Sequence, residues 1–195
     1  MNAINERRSI RKYKQDTVSN EDIKKIIESG ILAPSAKNRQ PWKYIVFSGQ
    51  LKKEILDVME QGLIRERDIK QTLPESHAGL PDAFNTLKIM RDAPVLIMVE
   101  NTNGKNPFDV IKTDDRITEI CDTLSIGASI QNILLTATEM GFATLWIANT
   151  CFAYEELCQY LNIKGQLIGA ITIGIPDESP NPRPRKPFNE VVEFR

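Results

Sequence analysis

The sequence predicts a fold that mixes helices and strands around one long buried helix, and three observations carry that prediction. Glu119–Met140 has helical spacing but is apolar or small on every side, with Ile120, Leu124, Ile126, Ile130, Ile133, Leu134 and Ala137 leaving no polar face. Such a helix is expected to be covered by a sheet and by a second subunit. Pro94–Val99 (P-V-L-I-M-V) is a continuous apolar run, suited to a strand buried on both faces. Around these two segments, strand-like and helix-like periodicities alternate along the chain.

Composition bounds the answer. The 195 residues suggest a single domain spanning residues 1–195. A chain of this size buries about 70% of its unfolded surface, so it needs neither disulfides nor a metal to hold a core. With 25 basic and 26 acidic residues the formal net charge is −1, which leaves no overall field for nucleic acid or an anionic membrane. Met1–Ser9 is charged and has no apolar signal core, and no apolar run approaches the ~20 residues of a membrane span, so a cytoplasmic protein is expected. The one histidine, His77, rules out a zinc site built on several histidines and reads as an exposed loop residue. The three cysteines, Cys121, Cys151 and Cys158, form no C-x-x-C pair and read as free, buried or half-buried thiols of a reducing compartment.

The elements follow in order. Ala3–Arg8 is a short charged helix. Ser19 followed by Asp22 resembles a capping box and opens a helix with Ile23, Ile26, Ile27 and Ile31 on one face, stopped at Ala33-Pro34. Trp42–Phe47 alternates and is β-rich, and Gln50–Arg67 carries Leu51, Ile55, Leu56, Met59 and Leu63 at helical spacing. Asp82–Arg91 is a further short helix, and Asn101–Asp109 a polar loop. Gly141 stops the long helix. Ala143–Ala148 is a strand, Ala153–Leu161 a helix and Gln166–Ile175 the last central strand, with Gly169 and Gly174 where backbone or ligand comes close. Pro176–Pro187 holds five of the eleven prolines and is expected to be a stiff arm, and Phe188–Phe194 alternates like a strand that docks on a neighbouring subunit.

Three segments offer chemistry. Arg7-Arg8-Ser9-Ile10-Arg11-Lys12 and Arg183-Pro184-Arg185-Lys186 are basic clusters at the borders of structured segments. Guanidinium forks pair bidentately with phosphate oxygens, although each cluster alone also reads as solvated surface charge. Pro34–Trp42 is a proline-fixed loop with Ser35, Asn38 and Gln40 as donors and acceptors. It reads either as a connector or as a loop that holds a polar heterocycle or polyol. Neither of the usual glycine-rich phosphate motifs is present.

These blocks, taken together and in order, resemble the FMN-dependent nitroreductase family. R-R-S-I-R-K-Y (Arg7–Tyr13) is similar to the family's N-terminal signature, and A-P-S-A-K-N-R-Q-P-W (Ala33–Trp42) to its proline-bounded loop. Gly127–Ile147 is similar to its central helix and following strand, and Ile173–Pro176 with Arg183–Val192 to its C-terminal blocks. The resemblance implies an α+β, three-layer sandwich with a mixed central sheet flanked by helices, an obligate homodimer with FMN at the interface, and an arm (176–195) extending over the partner. It implies that Arg7, Arg8, Arg183 and Arg185 grip the FMN phosphate, and that Ser9 contacts the ribityl–pyrimidine side. Arg11 would stabilise charge at the flavin N1–C2 carbonyl. Pro34, Ser35, Ala36, Asn38 and Gln40 would reach the cofactor from the partner, and Trp146, Ile147, Ala148 and Asn149 would face N5. An Asn/Lys pair that some members carry before the strand at Pro94 finds no match, which points to a smaller site.

The implied activity is reduction of nitroaromatics, quinones or related acceptors by NADH or NADPH, in a ping-pong scheme with hydride transfer through flavin N5 and no catalytic side chain or metal. Flavin reduction, enoate reduction, dehalogenation or non-catalytic FMN storage on the same scaffold remain alternatives, because acceptor contacts would lie in Leu63–Asp82 and Asn101–Arg116.

Overall fold

The structure, a computed structural model, describes residues 2–195. A four-stranded sheet is built from β1 (Trp42–Ser48), β2 (Val95–Asn101), β3 (Ala143–Ile147) and β4 (Gln166–Gly174) in the order β1-β2-β4-β3. Neighbouring strands pair antiparallel, and the parallel component is a bridge from Ser9 to Thr144 on the outer edge of β3.

Every residue of β2 is buried, as its apolar run predicts. Strand alternation sends Val95, Ile97 and Val99 to one face and Leu96 and Met98 to the other. The first face packs on α2 (Asn20–Ile31) and α5 (Thr113–Glu139). The second packs on α3 (Gly49–Asp68), α4 (Leu80–Asp92) and α6 (Tyr154–Leu161). The result is three layers with the sheet in the middle. Each fully buried apolar side chain of this strand contributes about 1.5–3 kcal/mol by leaving water.

The expected cap of α2 forms. Ser19 Oγ accepts from the Asp22 N–H at 3.0 Å and donates to Asp22 Oδ2 at 2.6 Å, so the N-cap half of the box is made while the Asp22 carboxylate bonds the Ser19 hydroxyl rather than its backbone N–H. Gly30 lets α2 approach α5 closely, since a Cβ there would lie 2.7 Å from Ile133 Cγ1. Gly169 sits in a bulge where the register steps from Val99–Gly169 to Glu100–Leu167. Its φ is +153°, and a Cβ would meet the Ile147 carbonyl oxygen at 2.3 Å. The close approach predicted there is by backbone.

α5 begins at Thr113, six residues before the expected start, with Asp114 and Asp115 in its first turn where the helix dipole favours them. Ile126, Ile130 and Ile133 are fully buried against the sheet layer. Burial on every side is met only on this face: Ile117, Ile120 and Leu124 are 56%, 52% and 70% exposed in the single chain. By length and composition alone α5 could cross a membrane, yet its inner face is part of this packed core and it carries buried Glu119 and Asp122.

Two expectations are corrected. Phe188–Phe194 is not strand-like: α7 (Phe188–Val191) is a single helical turn, closed locally by Glu190 N–H to the Pro187 carbonyl and Val192 N–H to the Phe188 carbonyl. Its backbone pairs with no strand among the described residues, so local hydrogen bonds win. His77 is half-buried in a short turn, Pro74–Gly79, rather than freely exposed.

Glu66, at the end of α3, is fully buried and ties down the segment that leads to α4. It accepts from the Thr72 and Leu73 N–H groups at 2.9 and 2.8 Å, from Arg65 at 2.9 Å and from the Thr72 hydroxyl. Burial by itself would raise its pKa, but these donors outweigh burial and hold it at about 2. The folded value lies below the unfolded one, so this stabilisation is complete above about pH 4.5 and disappears as pH falls toward 2. Glu66→Gln should therefore destabilise the protein at pH 7 and cost much less near pH 2, measured by urea unfolding at both pH values.

Candidate functional site

The site is assembled by the segment Arg7–Tyr13, which lies along the sheet between β3 and the end of β4. Ile10 N–H donates to the Thr144 carbonyl, Lys14 N–H to Ile175 and Asp177 N–H to Lys12, each at 3.0 Å. Tyr13 is buried, and its hydroxyl lies 2.7 Å from Thr172 Oγ1 and donates to the Ile10 carbonyl at 2.8 Å. Burial pushes its phenol up to about 12, so it stays neutral and acts as a pin. Arg11 N–H donates to Glu178 Oε1 at 2.5 Å. These contacts bring the first basic cluster against the proline arm.

Arg7, Arg8, Arg11, Arg183 and Arg185 consequently line one cavity of about 290 Å³ together with Ser9 and Pro180–Pro182. No carboxylate lines it among the described residues. Burial, then Arg185, then Arg8 lower the pKa of the Arg7 guanidinium, as expected for cations crowded together. Arg8 and Arg185 spend donors only on nearby carbonyls, Asn5, Arg7, Arg183 and Pro184. Such a cavity suits a phosphate-sized dianion, whose binding would relieve the repulsion.

Arg7 and Ser9 also line a second hollow of about 290 Å³, floored by Thr144, Trp146 and Ala148 and walled by Gln131 and Leu134 of α5. The floor residues follow the strand period of two, while Ala143, Leu145 and Ile147 point into the core. Thr144 Oγ1 is buried there with no hydrogen-bond partner. Trp146 is 44% exposed and offers a flat surface. A third hollow, about 260 Å³, joins Arg11 to Leu145–Asn149 and to Asp82, Asn85 and Thr86 of α4. The first and second hollows share Arg7 and Ser9, the second and third share Trp146 and Ala148, and the first and third share Arg11, so the three adjoin as one groove with its charge gathered in the arginine cavity.

The structure thus brings together Arg7, Arg8, Ser9, Arg11, Trp146, Ile147, Ala148, Asn149, Arg183 and Arg185. It does not bring Pro34, Ser35, Ala36, Asn38 or Gln40 to that groove within one chain. Their loop rests on α5, where Ala36 N–H donates to Ser125 Oγ at 3.2 Å and Arg39 pairs with buried Asp122 at 2.6 Å. Lys37, Asn38 and Gln40 all have left-handed backbones, with φ of 55°, 53° and 48°.

The sequence reading missed Asp82, Asn85, Thr86, Gln131 and Thr144. Asn85 and Lys88 are an Asn and a Lys ahead of the strand at Pro94, where the sequence analysis finds no matching pair, and Asn85 lines the groove. The signal was Asp82, Asn85 and Thr86 on one helix face at i, i+3 and i+4. A separate cavity of about 530 Å³, between the Thr102–Asp109 loop and Tyr154, shares no residue with this groove.

Fold and groove together define an α+β protein with an arginine-lined cavity opening onto a flat polar cleft. The model of the Nitroreductase family matches residues 4–175, and the chain belongs to that family. A protein of Archaeoglobus fulgidus named NADH dehydrogenase/NAD(P)H nitroreductase is 28% identical over 178 residues, covering 88% of this chain and 82% of its own. A BluB-like flavoprotein from Clostridium difficile is 27% identical with a TM-score of 0.78, covering 100% of this chain and 97% of its own. A nitroreductase from Desulfovibrio desulfuricans, solved with FMN, shares the fold at 24% identity and a TM-score of 0.72, over 99% of this chain and 94% of its own.

The arginine cavity generates a direct test. Inorganic phosphate should raise the melting temperature of the wild-type protein, and Arg8→Ala or Arg185→Ala should remove most of that rise.

Proposed function

We propose that the protein is an FMN-dependent oxidoreductase that uses NADH or NADPH to reduce nitroaromatic, quinone or related acceptors. The single observation that carries this reading is that a cavity lined by five arginines and no carboxylate adjoins the hollow of the orphaned Thr144 hydroxyl and the Trp146–Asn149 strip beside Arg11. That donor set fits a ligand with a phosphate at one end, a hydroxylated chain and a flat ring. Membership in the nitroreductase family and the flavin named for relatives support FMN as that ligand.

When bound, FMN supplies hydride exchange between the nicotinamide donor and the acceptor. The chain supplies the rest. Arg7, Arg8, Arg183 and Arg185 hold the phosphate, and Ser9 meets the neighbouring chain of the cofactor. Arg11 keeps a fixed positive charge at the junction of cavity and cleft, where it favours an electron-rich ligand without any reorganisation. The turn Ile147–Asn149 orients the ring, and an open face serves donor and acceptor in turn.

The working unit on this reading is a cytoplasmic homodimer of single-domain chains, 1–195. Two features support it. α5 leaves Ile117, Ile120 and Leu124 exposed in one stripe, and the arm ends in exposed Phe188, Val191 and Phe194. The left-handed loop with Pro34, Ser35, Ala36, Asn38 and Gln40 would complete the cofactor site of the second copy, with the arm 176–195 lying across it.

The purified protein should be yellow, or turn yellow on adding FMN, and NADH or NADPH should bleach it under anaerobic conditions. No flavin binding would refute the cofactor, and bound flavin that neither nucleotide bleaches would refute the donor. Deleting Phe188–Arg195 should weaken self-association at micromolar concentration, read by analytical ultracentrifugation, and an unchanged dimer would refute the arm's role.

A further inference from the structure

The turn that ends β3 is held from two sides. Beneath it, Gly169 has no side chain, and a Cβ there would lie 2.3 Å from the Ile147 carbonyl oxygen and 3.6 Å from Ala148 Cα, so β4 packs directly against the turn. Beside it, the Asn149 side chain reaches across to α4 along the wall of the cleft. Its Nδ2 donates to Thr86 Oγ1 at 2.9 Å and to Asp82 Oδ2 at 3.3 Å. The Asp82 carboxylate can only accept, which fixes the amide with its nitrogen toward α4.

This arrangement is poor for stability. Thr86 is only 7% exposed, in a helix whose neighbouring inward residues Ala83, Leu87 and Met90 are apolar core. The amide's other end, Asn149 Oδ1, is buried with no hydrogen-bond partner. A buried polar atom left unpaired is costly and uncommon, and an apolar pair at 86 and 149 would avoid it. All three side chains also line the hollow that contains Arg11 and Ile147–Ala148. A costly polar tether placed at the wall of the ligand groove is the pattern of a part retained for function.

We infer that Asn149 is a positioning residue, which, through Thr86 and Asp82, clamps the Ile147–Asn149 turn to α4 and so sets the backbone edge that meets the flat ring of the ligand. This rests on the FMN reading and extends it to α4, which contributes no residue to the anion cavity. The clamp governs the ring and not the phosphate, so the two ends of the groove should respond separately to substitution.

The test compares Asn149→Ala, Thr86→Val and Thr86→Ser with the wild type in the full-length protein. In Asn149→Ala and Thr86→Val, FMN should bind about three- to tenfold more weakly, the scale of one lost hydrogen bond. The absorption maximum and midpoint potential of bound FMN should shift. Affinity for inorganic phosphate should stay within about twofold of wild type, since the arginine cavity is untouched. Thr86→Ser keeps the hydroxyl and should restore wild-type affinity and spectrum. The double variant Asn149→Ala/Thr86→Val should lose no more than either single one. Wild-type FMN affinity, spectrum and potential in both Asn149→Ala and Thr86→Val would overturn the inference. So would equal losses of FMN and phosphate binding, which mark general unfolding, or a Thr86→Ser as impaired as Thr86→Val. A wild type that binds phosphate and no FMN would instead overturn the cofactor reading, and the clamp with it.

Discussion

The site depends on one interaction, the lacing of Arg7–Tyr13 against the β3 edge and the end of β4. Ile10 bonds to Thr144, Lys14 to Ile175 and Asp177 to Lys12, with buried Tyr13 bonded to Thr172 at the centre. All of these bonds, three between backbones and one between side chains, join residues more than 130 positions apart, so they form only once the sheet exists. Without them the two basic clusters are unrelated surface charges at opposite ends of the chain. With them, five arginines face one cavity. The near-neutral total charge conceals this, because net charge sums over the whole surface while a site depends on where charges converge.

That convergence works against folding. Arg7 is crowded by Arg185 and Arg8, and no acid lines the cavity among the described residues. A chain selected only for stability would place a carboxylate there. Glu66 shows what this protein does where a charge is structural: a fully buried carboxylate receives donors from Arg65, Thr72 and Leu73 and is held strongly acidic. The contrast between a satisfied acid behind α4 and unsatisfied bases in the groove separates scaffold from site. The same α4 stands between them, anchored at its start by the Glu66 segment and presenting Asp82, Asn85 and Thr86 to the cleft.

Much of this was legible in the sequence because it is local. The cap at Ser19, the two-faced burial of Pro94–Val99 and the end of the long helix at Gly141 follow from spacing and backbone chemistry that neighbours cannot easily override. The arginine blocks and Trp146–Asn149 were legible through motif resemblance, and the groove does unite them. What was not legible is set by distant partners. Thr144 and Gln131 matter only because β3 lies beside α5. Thr86 reads as an ordinary helix residue until Asn149 arrives from 63 positions away. The arm's tip has alternating residues, but alternation makes a strand only where an edge is available to pair with, and in one chain it closes as a helical turn.

The loop of Pro34–Gln40 is the clearest sign of how far one chain goes. Lys37 and Gln40 hold left-handed backbones that cost a residue with a Cβ about 1–2 kcal/mol each, and Asn38 a little less. Such strain persists only if the surroundings impose it. Here they do: buried Asp122 takes Arg39 and Asn103, Ser125 takes Ala36 N–H, and Ser35 takes Gln40 N–H. A connector between a helix and a strand needs none of this. The polar side chains of Asn38 and Gln40 stay on the exposed side, bonded to each other at 3.1 Å and to nothing in the groove of their own chain. On the proposed reading, this rigid loop, with its polar side chains on the exposed side, is the part of one chain that meets the second copy.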